Sequence, residues 1–332
     1  MTAIKHFERW SRKSFANLLK ALTVRGGSSC LTENPGKILV LRLDNRIGNL
    51  VMLTPLLKSL EKRFPLSEVS VLVSHRFADI LEGQNRHLIR VDKKGQIKNP
   101  LRLVKLVKSI RSQSFDVVID ASHPHAFSLS TAVMAALSGI PVRVGAPVPG
   151  TDGWYTCVPD KESWPDRHVH ESRAIHALGR VWSEWPEWEP PVLDVYEKAP
   201  RIRTGFHAGG KPGKAFTSEQ LRELTRITAE ICPVVVYWGS IEEKRKAESA
   251  AQPGVEVAPG IPLADLAGEF ATLRLFVTPD TGPMHVASAV NTPVIAVFRE
   301  NVTERFSPLS QGSVSLINPS IERIAESILQ SL

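Results

Sequence analysis

Cysteine is scarce in this 332-residue chain: Cys30, Cys157 and Cys232 are scattered, without an even count for bridges or a paired spacing for a metal. That excludes a disulfide scaffold and a zinc-finger module, and it fits a reducing compartment. Long apolar runs are missing too; none approaches the roughly 20 residues that a membrane-spanning helix needs. The N-terminus lacks the apolar core and small-residue cleavage site of a secretory signal. No repeat of solenoid period occurs, and no helix-turn-helix or aromatic RNA-binding signature.

What the chain does have is an excess of base, +7 from 41 basic and 34 acidic residues. Part of it sits in the first 25 residues, where Lys5, Arg9, Arg12, Lys13, Lys20 and Arg25 face Glu8 alone. Ile4, Phe7, Trp10, Phe15, Leu18, Leu19 and Leu22 fall among them, largely at helical spacing. A basic amphipathic helix of this kind suits an anionic membrane surface; it also suits an apolar patch of its own protein. Elsewhere basic and acidic residues are interleaved, so nucleic acid is not an expected partner.

Residues 25–36 are turn-rich and read as a linker. From residue 37 onward short apolar runs alternate with helical segments, the pattern of a doubly wound parallel sheet. Residues 37–43, 69–73 and 115–120 read as buried strands, with a marginal one at 89–91 and a last one at 142–144 that closes the series. Helices are expected over 50–64, 77–81, 101–112 and 128–137. A Trp- and Pro-rich interval at 182–191 interrupts the series. It resumes with strands at 202–208, 234–238, 255–257, 273–277 and 294–298, and with helices at 218–231, 242–251, 263–270 and 321–332. The expected division is a leader at 1–30, α/β domains at 36–185 and 200–318, and a C-terminal helix at 319–332 that packs back on the first domain.

In such sheets ligands gather beyond the carboxyl ends of strands. Three stretches occupy such ends: residues 44–49, residues 120–125, and the turn Pro279-Asp280-Thr281-Gly282-Pro283. In the turn, Asp280 or Thr281 can cap the following helix, Pro283 fits its first turn, and Gly282 admits close backbone approach. A strand, a glycine turn and a helix N-terminus together form an anion site. The loop at residues 207–217, with Gly209, Gly210, Gly213 and the lysines Lys211 and Lys214, is the second domain's first turn. It departs from the P-loop pattern, because Ala208 stands at the required glycine and Ala215 at the metal-holding hydroxyl. His168, His170 and His176 lack a ligand constellation, and no metal is expected.

In order along the chain, Ile38-Leu-Val-Leu-Arg-Leu-Asp44 with Arg46-Ile-Gly48, Phe115-Asp-Val-Val-Ile-Asp120, Lys214-Ala-Phe216, Trp238-Gly239 and Asp280-Thr-Gly-Pro-Met-His285 resemble glycosyltransferase family 9, the ADP-heptose:lipopolysaccharide heptosyltransferases. The resemblance covers roughly residues 37 to 300. It implies a GT-B fold, two Rossmann-like domains with parallel sheets facing across a cleft. It further implies an inverting, metal-independent transfer, with heptose from ADP-heptose expected as donor and a lipid-linked lipopolysaccharide core or related glycan as acceptor. No cofactor is expected, and residues 1–25 would hold the protein on the cytoplasmic face of the inner membrane. Gly48, Lys214, Asp280, Thr281, Gly282, Pro283 and His285 are the implied donor residues, and Asp120, His123 and His125 the acceptor candidates.

One position departs from the family. Asn49 stands where the proposed catalytic aspartate is usual, and a carboxamide has no basic lone pair near neutral pH. Asp44 is then the first candidate for base, although an aspartate in such a turn often only caps a helix. Asn49 would otherwise position the acceptor while its proton leaves late, to solvent. A different sugar transfer on the same fold, or a catalytically silent nucleotide-sugar-binding protein, is the alternative.

Overall fold

The computed structural model describes residues 31–82, 86–92, 95, 99–195 and 200–332. The basic N-terminal segment lies outside the described residues.

The first domain comprises β1 (Lys37–Arg42), α1 (Ile47–Val51), α2 (Thr54–Arg63), β2 (Glu68–Ser74), β3 (His87–Val91), α3 (Pro100–Ser112), β4 (Val117–Asp120), α4 (Leu129–Leu137), β5 (Val142–Val144) and α5 (Glu171–His176). The second comprises β6 (Arg203–His207), α6 (Ser218–Ala229), β7 (Val234–Tyr237), α7 (Ile241–Ser249), β8 (Val255–Val257), α8 (Leu266–Ala271), β9 (Leu273–Pro279), α9 (Gly282–Ala289), β10 (Val294–Phe298), α10 (Thr303–Phe306), β11 (Val314–Ile317) and α11 (Ile321–Ser331). The first sheet runs β3-β2-β1-β4-β5 and the second β11-β10-β9-β6-β7-β8. Every pairing between these strands is parallel.

The near-continuous apolar strands are explained by burial on both faces. In β1, Ile38 and Val40 join the cluster under α1 and α2, while Leu39 and Leu41 join the one under α3. The expected helix over 50–64 is divided in two, with Thr54 Oγ1 donating to Val51 O (2.8 Å) and Pro55 opening the second piece. β11 escaped the sequence pattern because it is a short edge strand, half-exposed along Val-Ser-Leu-Ile. Among the described residues no helix is long and apolar enough to cross a membrane.

Strand order reverses between β1 and β4 in the first sheet and between β6 and β9 in the second. A crevice opens at each reversal, and the two crevices face each other. One apolar cluster joins the domains, running from Ile38 and Leu50 through Ile47 to Met284, Val286 and Phe276. A second tie is polar: Glu171 pairs with Arg305 (2.6 Å), His168 with Glu304 (2.7 Å), and His170 Nε2 donates to Ser307 O (3.2 Å). The tryptophans of the linker pack on the first domain. Trp182 stacks on Trp185 and meets Phe64 edge-on, and its Nε1 donates to Thr32 O (2.9 Å).

The final helix does not return to the first domain. Ile324, Ala325 and Ile328 are buried with Leu221, Leu224 and Val297 of the second. The helix is strongly amphipathic, and the nearest unfilled apolar surface after β11 is that of its own sheet. Ile328→Ala should therefore lower the stability of the second domain by about 2–5 kcal/mol. The measurement is urea unfolding of that domain; an unchanged midpoint would contradict this packing.

Candidate functional site

Between the facing sheet edges lies a cleft of about 870 Å³. The first domain supplies Asn45, Arg46, Ile47, Gly48, Asn49 and Met52 after β1, and Arg76 and Phe77 after β2. The second supplies residues after β6 (His207, Gly210, Lys211, Lys214), after β7 (Glu243), after β9 (Asp280, Thr281, Gly282, His285) and after β10 (Glu300, Val302, Phe306). All lie at the carboxyl ends of strands, in the loops there or at the starts of the helices that follow, as a parallel sheet requires.

The cleft narrows where the start of α1 meets the start of α9. A Cβ on Gly282 would lie 2.1 Å from Ile47 Cγ2 and 3.3 Å from Gly48 N; one on Gly48 would lie 2.5 Å from His285 Cδ2. Only paired glycines let the two domains touch here.

α9 was expected to be capped by Asp280 or Thr281, and neither side chain does so. Thr281 Oγ1 turns inward, 3.0 Å from Thr278 Oγ1 and 3.1 Å from His207 Nδ1. Thr278 Oγ1 donates to Pro279 O (2.9 Å), so its proton is used. Thr278, Thr281 and His207 thus form one hydrogen-bonded chain. Main-chain N–H groups of Thr281 and Gly282 have no acceptor among the described residues. The helix end therefore presents unsatisfied donors and its positive dipole to the cleft.

Lys214 sits above this end, 3.6 Å from Asp280 Oδ2 and 3.3 Å from Glu300 Oε2. Its loop is set by a turn, Lys214 N and Ala215 N both donating to Lys211 O (2.9 and 3.1 Å). Gly210, at φ +144°, passes within 3.0 Å of Ala215 Cβ when a Cβ is built on it, and Phe216 anchors the loop in the core. Thr217 and Gln220 close a reciprocal capping box on the following helix. Glu243 is held by Gly239 N, which donates to Oε2 (2.7 Å), and lies 4.0 Å from His207 Nε2.

The histidines add shape and hydrogen bonds without charge. Burial pushes His207 down to about 4 despite the Glu243 carboxylate, and pushes His285 down to about 3, with His170 adding to the effect. Burial likewise pushes His170 and His176 down to about 4.

Of the residues expected from sequence, Gly48, Asn49, Lys214, Asp280, Thr281, Gly282 and His285 line this one cleft. Pro283 lies in the first turn of α9 without lining it. Asp44 does not line the cleft. Its Oδ2 is 2.8 Å from Nε of Arg42, a fully buried side chain whose Nη1 donates to Ala121 O and, at 2.5 Å, to Ser122 O. Asp44 thus serves as counter-ion to a guanidinium that clamps β1 to β4, outside the cleft in which the expected base would act.

The acceptor candidates also lie elsewhere. Asp120 accepts from Tyr155 Oη (2.5 Å) and from Ser122 N (3.0 Å), and with His123 it lines a separate cavity of about 10 Å³. That volume is about one water. Burial, with the charge of Asp120 behind it, raises Tyr155. His125 is also outside the cleft, its Nε2 buried without a hydrogen-bond partner among the described residues and its pKa lowered by burial. Sequence reasoning did not select Arg46, Arg76, Phe77, His207, Glu243 or Glu300. Their shared signal is position, just after a strand or in the next turn of chain.

Four imidazoles that are neutral when folded protonate near 6.5 once unfolded. Between about pH 6.5 and 4 the unfolded chain binds more protons, so stability falls as pH falls through that window. The guanidinium-unfolding midpoint should be lower at pH 5 than at pH 7.5 and nearly flat from 7.5 to 8.5. Equal midpoints at pH 5 and 7.5 would mean that these rings are not buried as neutral groups.

Residues 199–328 match the family model "Glycosyltransferase family 9 (heptosyltransferase)". No curated protein matches. Among solved structures, E. coli ADP-heptose LPS heptosyltransferase II is 21% identical, with 89% of this chain and 98% of that one covered at a TM-score of 0.71. E. coli heptosyltransferase WaaC with ADP is 18% identical, covering 89% and 100% at 0.75. A family 9 glycosyl transferase from Veillonella parvula is 18% identical, covering 91% and 98% at 0.78. These likenesses give the GT-B fold.

Proposed function

We propose that this chain, whose residues 199–328 match the family model of glycosyltransferase family 9 on a GT-B frame, is a glycosyltransferase that transfers heptose from ADP-heptose, with inversion and without a metal, to a lipid-linked core saccharide. The observation that carries this reading is the open start of α9 beneath Lys214, at the reversal of the second sheet. ADP and a fluorinated ADP-heptose occupy structures of the similar WaaC, which supports this choice of donor.

Breaking the bond between the anomeric carbon and the diphosphate leaves positive charge on the sugar and negative charge on the leaving group. The Thr281 and Gly282 N–H groups and the Lys214 ammonium meet the second charge, fixed before the reaction begins. A diphosphate entering the cleft displaces Asp280 and Glu300 from Lys214, exchanging carboxylate for phosphate. Lys211, Arg46 and Arg76 line the same cleft and add further positive charge. Asn49 lines the first domain's wall; its carboxamide positions the acceptor hydroxyl, whose proton leaves late to solvent. Residues 1–25 rest on the membrane that carries the acceptor.

Lys214→Ala should weaken ADP binding and lower kcat/KM for transfer, the latter by about 2.7–4 kcal/mol, typical of one lost transition-state donor. Calorimetry with ADP and a transfer assay read the two effects; wild-type ADP affinity removes Lys214 from the site. Asn49→Asp should raise kcat by about 10²-fold or more and add an acidic limb to its pH profile, because it supplies a general base. An unchanged rate and profile would mean that another group already takes the proton.

A further inference from the structure

The outer face of the first domain carries a feature that the transfer reading leaves unused. α3 reads Pro-Leu-Arg-Leu-Val-Lys-Leu-Val-Lys-Ser-Ile-Arg-Ser, with Arg102, Lys105, Lys108 and Arg111 and no acid. Its neighbour α4, Leu-Ser-Thr-Ala-Val-Met-Ala-Ala-Leu, has no ionisable side chain at all. Arg111 Nε donates to Leu137 O (3.1 Å) and fastens the end of one helix to the end of the other. Leu103, Leu106, Val107 and Ile110 point inward, onto the cluster that contains Leu39, Leu41 and Phe115. Outward, the positions i, i+3, i+4 and i+7 hold Leu101, Val104, Lys105 and Lys108 on one stripe.

A solvated helix face keeps its large apolar side chains few and mixes its charges. Here Leu101 is 69% exposed and Val104 48%, beside ammonium groups that make no ion pair among the described residues. Topology fixes where this stripe lies. α3 crosses over between parallel β3 and β4 and ends where β4 begins, so Leu101 stands at the carboxyl edge of the sheet. That is the edge on which the cleft opens.

We propose that this stripe of α3 docks the first domain on an anionic lipid surface, Leu101 and Val104 entering the headgroup boundary and Lys105 and Lys108 meeting lipid phosphates. Exposed apolar side chains next to unopposed cations match that interface in both polarity and charge. The contact is separate from any made by residues 1–25. It does not depend on the identity of the donor sugar.

The test is co-sedimentation of the full chain with vesicles of phosphatidylcholine, with and without phosphatidylglycerol. Wild type should bind the phosphatidylglycerol vesicles, lose binding as salt rises, and ignore pure phosphatidylcholine. Lys105→Glu with Lys108→Glu should lower the partition coefficient about tenfold or more, and Leu101→Ser with Val104→Ser about threefold or more. The thermal shift given by ADP should be the same in all three proteins, which certifies folding and reads the donor site independently. Wild-type partition in the charge-reversed variant, equal binding to pure phosphatidylcholine, or preferential retention by duplex DNA overturns the proposal.

Discussion

The contact of Gly48 with Gly282 is the constraint on which the site depends. Two helices, one from each domain, meet at their starts, Gly282 against the Ile47 side chain and Gly48 against that of His285, and either glycine would clash once it carried a Cβ. Because both helices follow the central strand of their crevice, this contact sets the two sheet reversals opposite each other. The apolar cluster that includes Ile47 and Met284 then seals the rear of the cleft. At a second place the Glu171–Arg305 ion pair and the His168–Glu304 hydrogen bond tie the domains. One tie is dry and short, the other polar and partly exposed, so the dry one fixes distance and the polar one resists opening.

Electrostatics in the cleft divide by domain and by burial. Charged groups stay at the wet surface: Lys214 between Asp280 and Glu300, with Arg46, Arg76 and Lys211 around them. The buried imidazoles of His207 and His285 are neutral: burial outweighs the Glu243 carboxylate at His207, and at His285 burial acts together with His170. The His207–Thr281 hydrogen bond draws the threonine hydroxyl away from the helix start. That leaves main-chain donors for a ligand where an ordinary cap would have consumed them.

The buried clamp of Arg42 shows how a turn residue can mislead. Asp44 follows β1 at the position from which a base would reach an acceptor, yet it answers a guanidinium that joins β1 to the carbonyls of Ala121 and Ser122. Asp120, at the end of β4, is likewise held by Tyr155 and the Ser122 amide. In both cases the side chain lies at the correct edge of the sheet and serves the joint between neighbouring strands.

The sequence by itself determined the parallel α/β class, the strands along the chain apart from β11, and the glycine turns, because these rest on local periodicity and on φ/ψ demands that a few residues announce. It also announced that Lys214 and Asp280 through His285 belong at strand ends, where parallel sheets bind ligands. Only the tertiary structure decided that these stretches share one cleft with Arg46, Arg76, Glu243 and Glu300, that Asp44 and the acceptor candidates fall outside it, and that α11 stays with the second sheet. The reason is physical: periodicity says which face of an element is buried, but which ion pair or apolar surface a side chain reaches depends on elements far away in the chain.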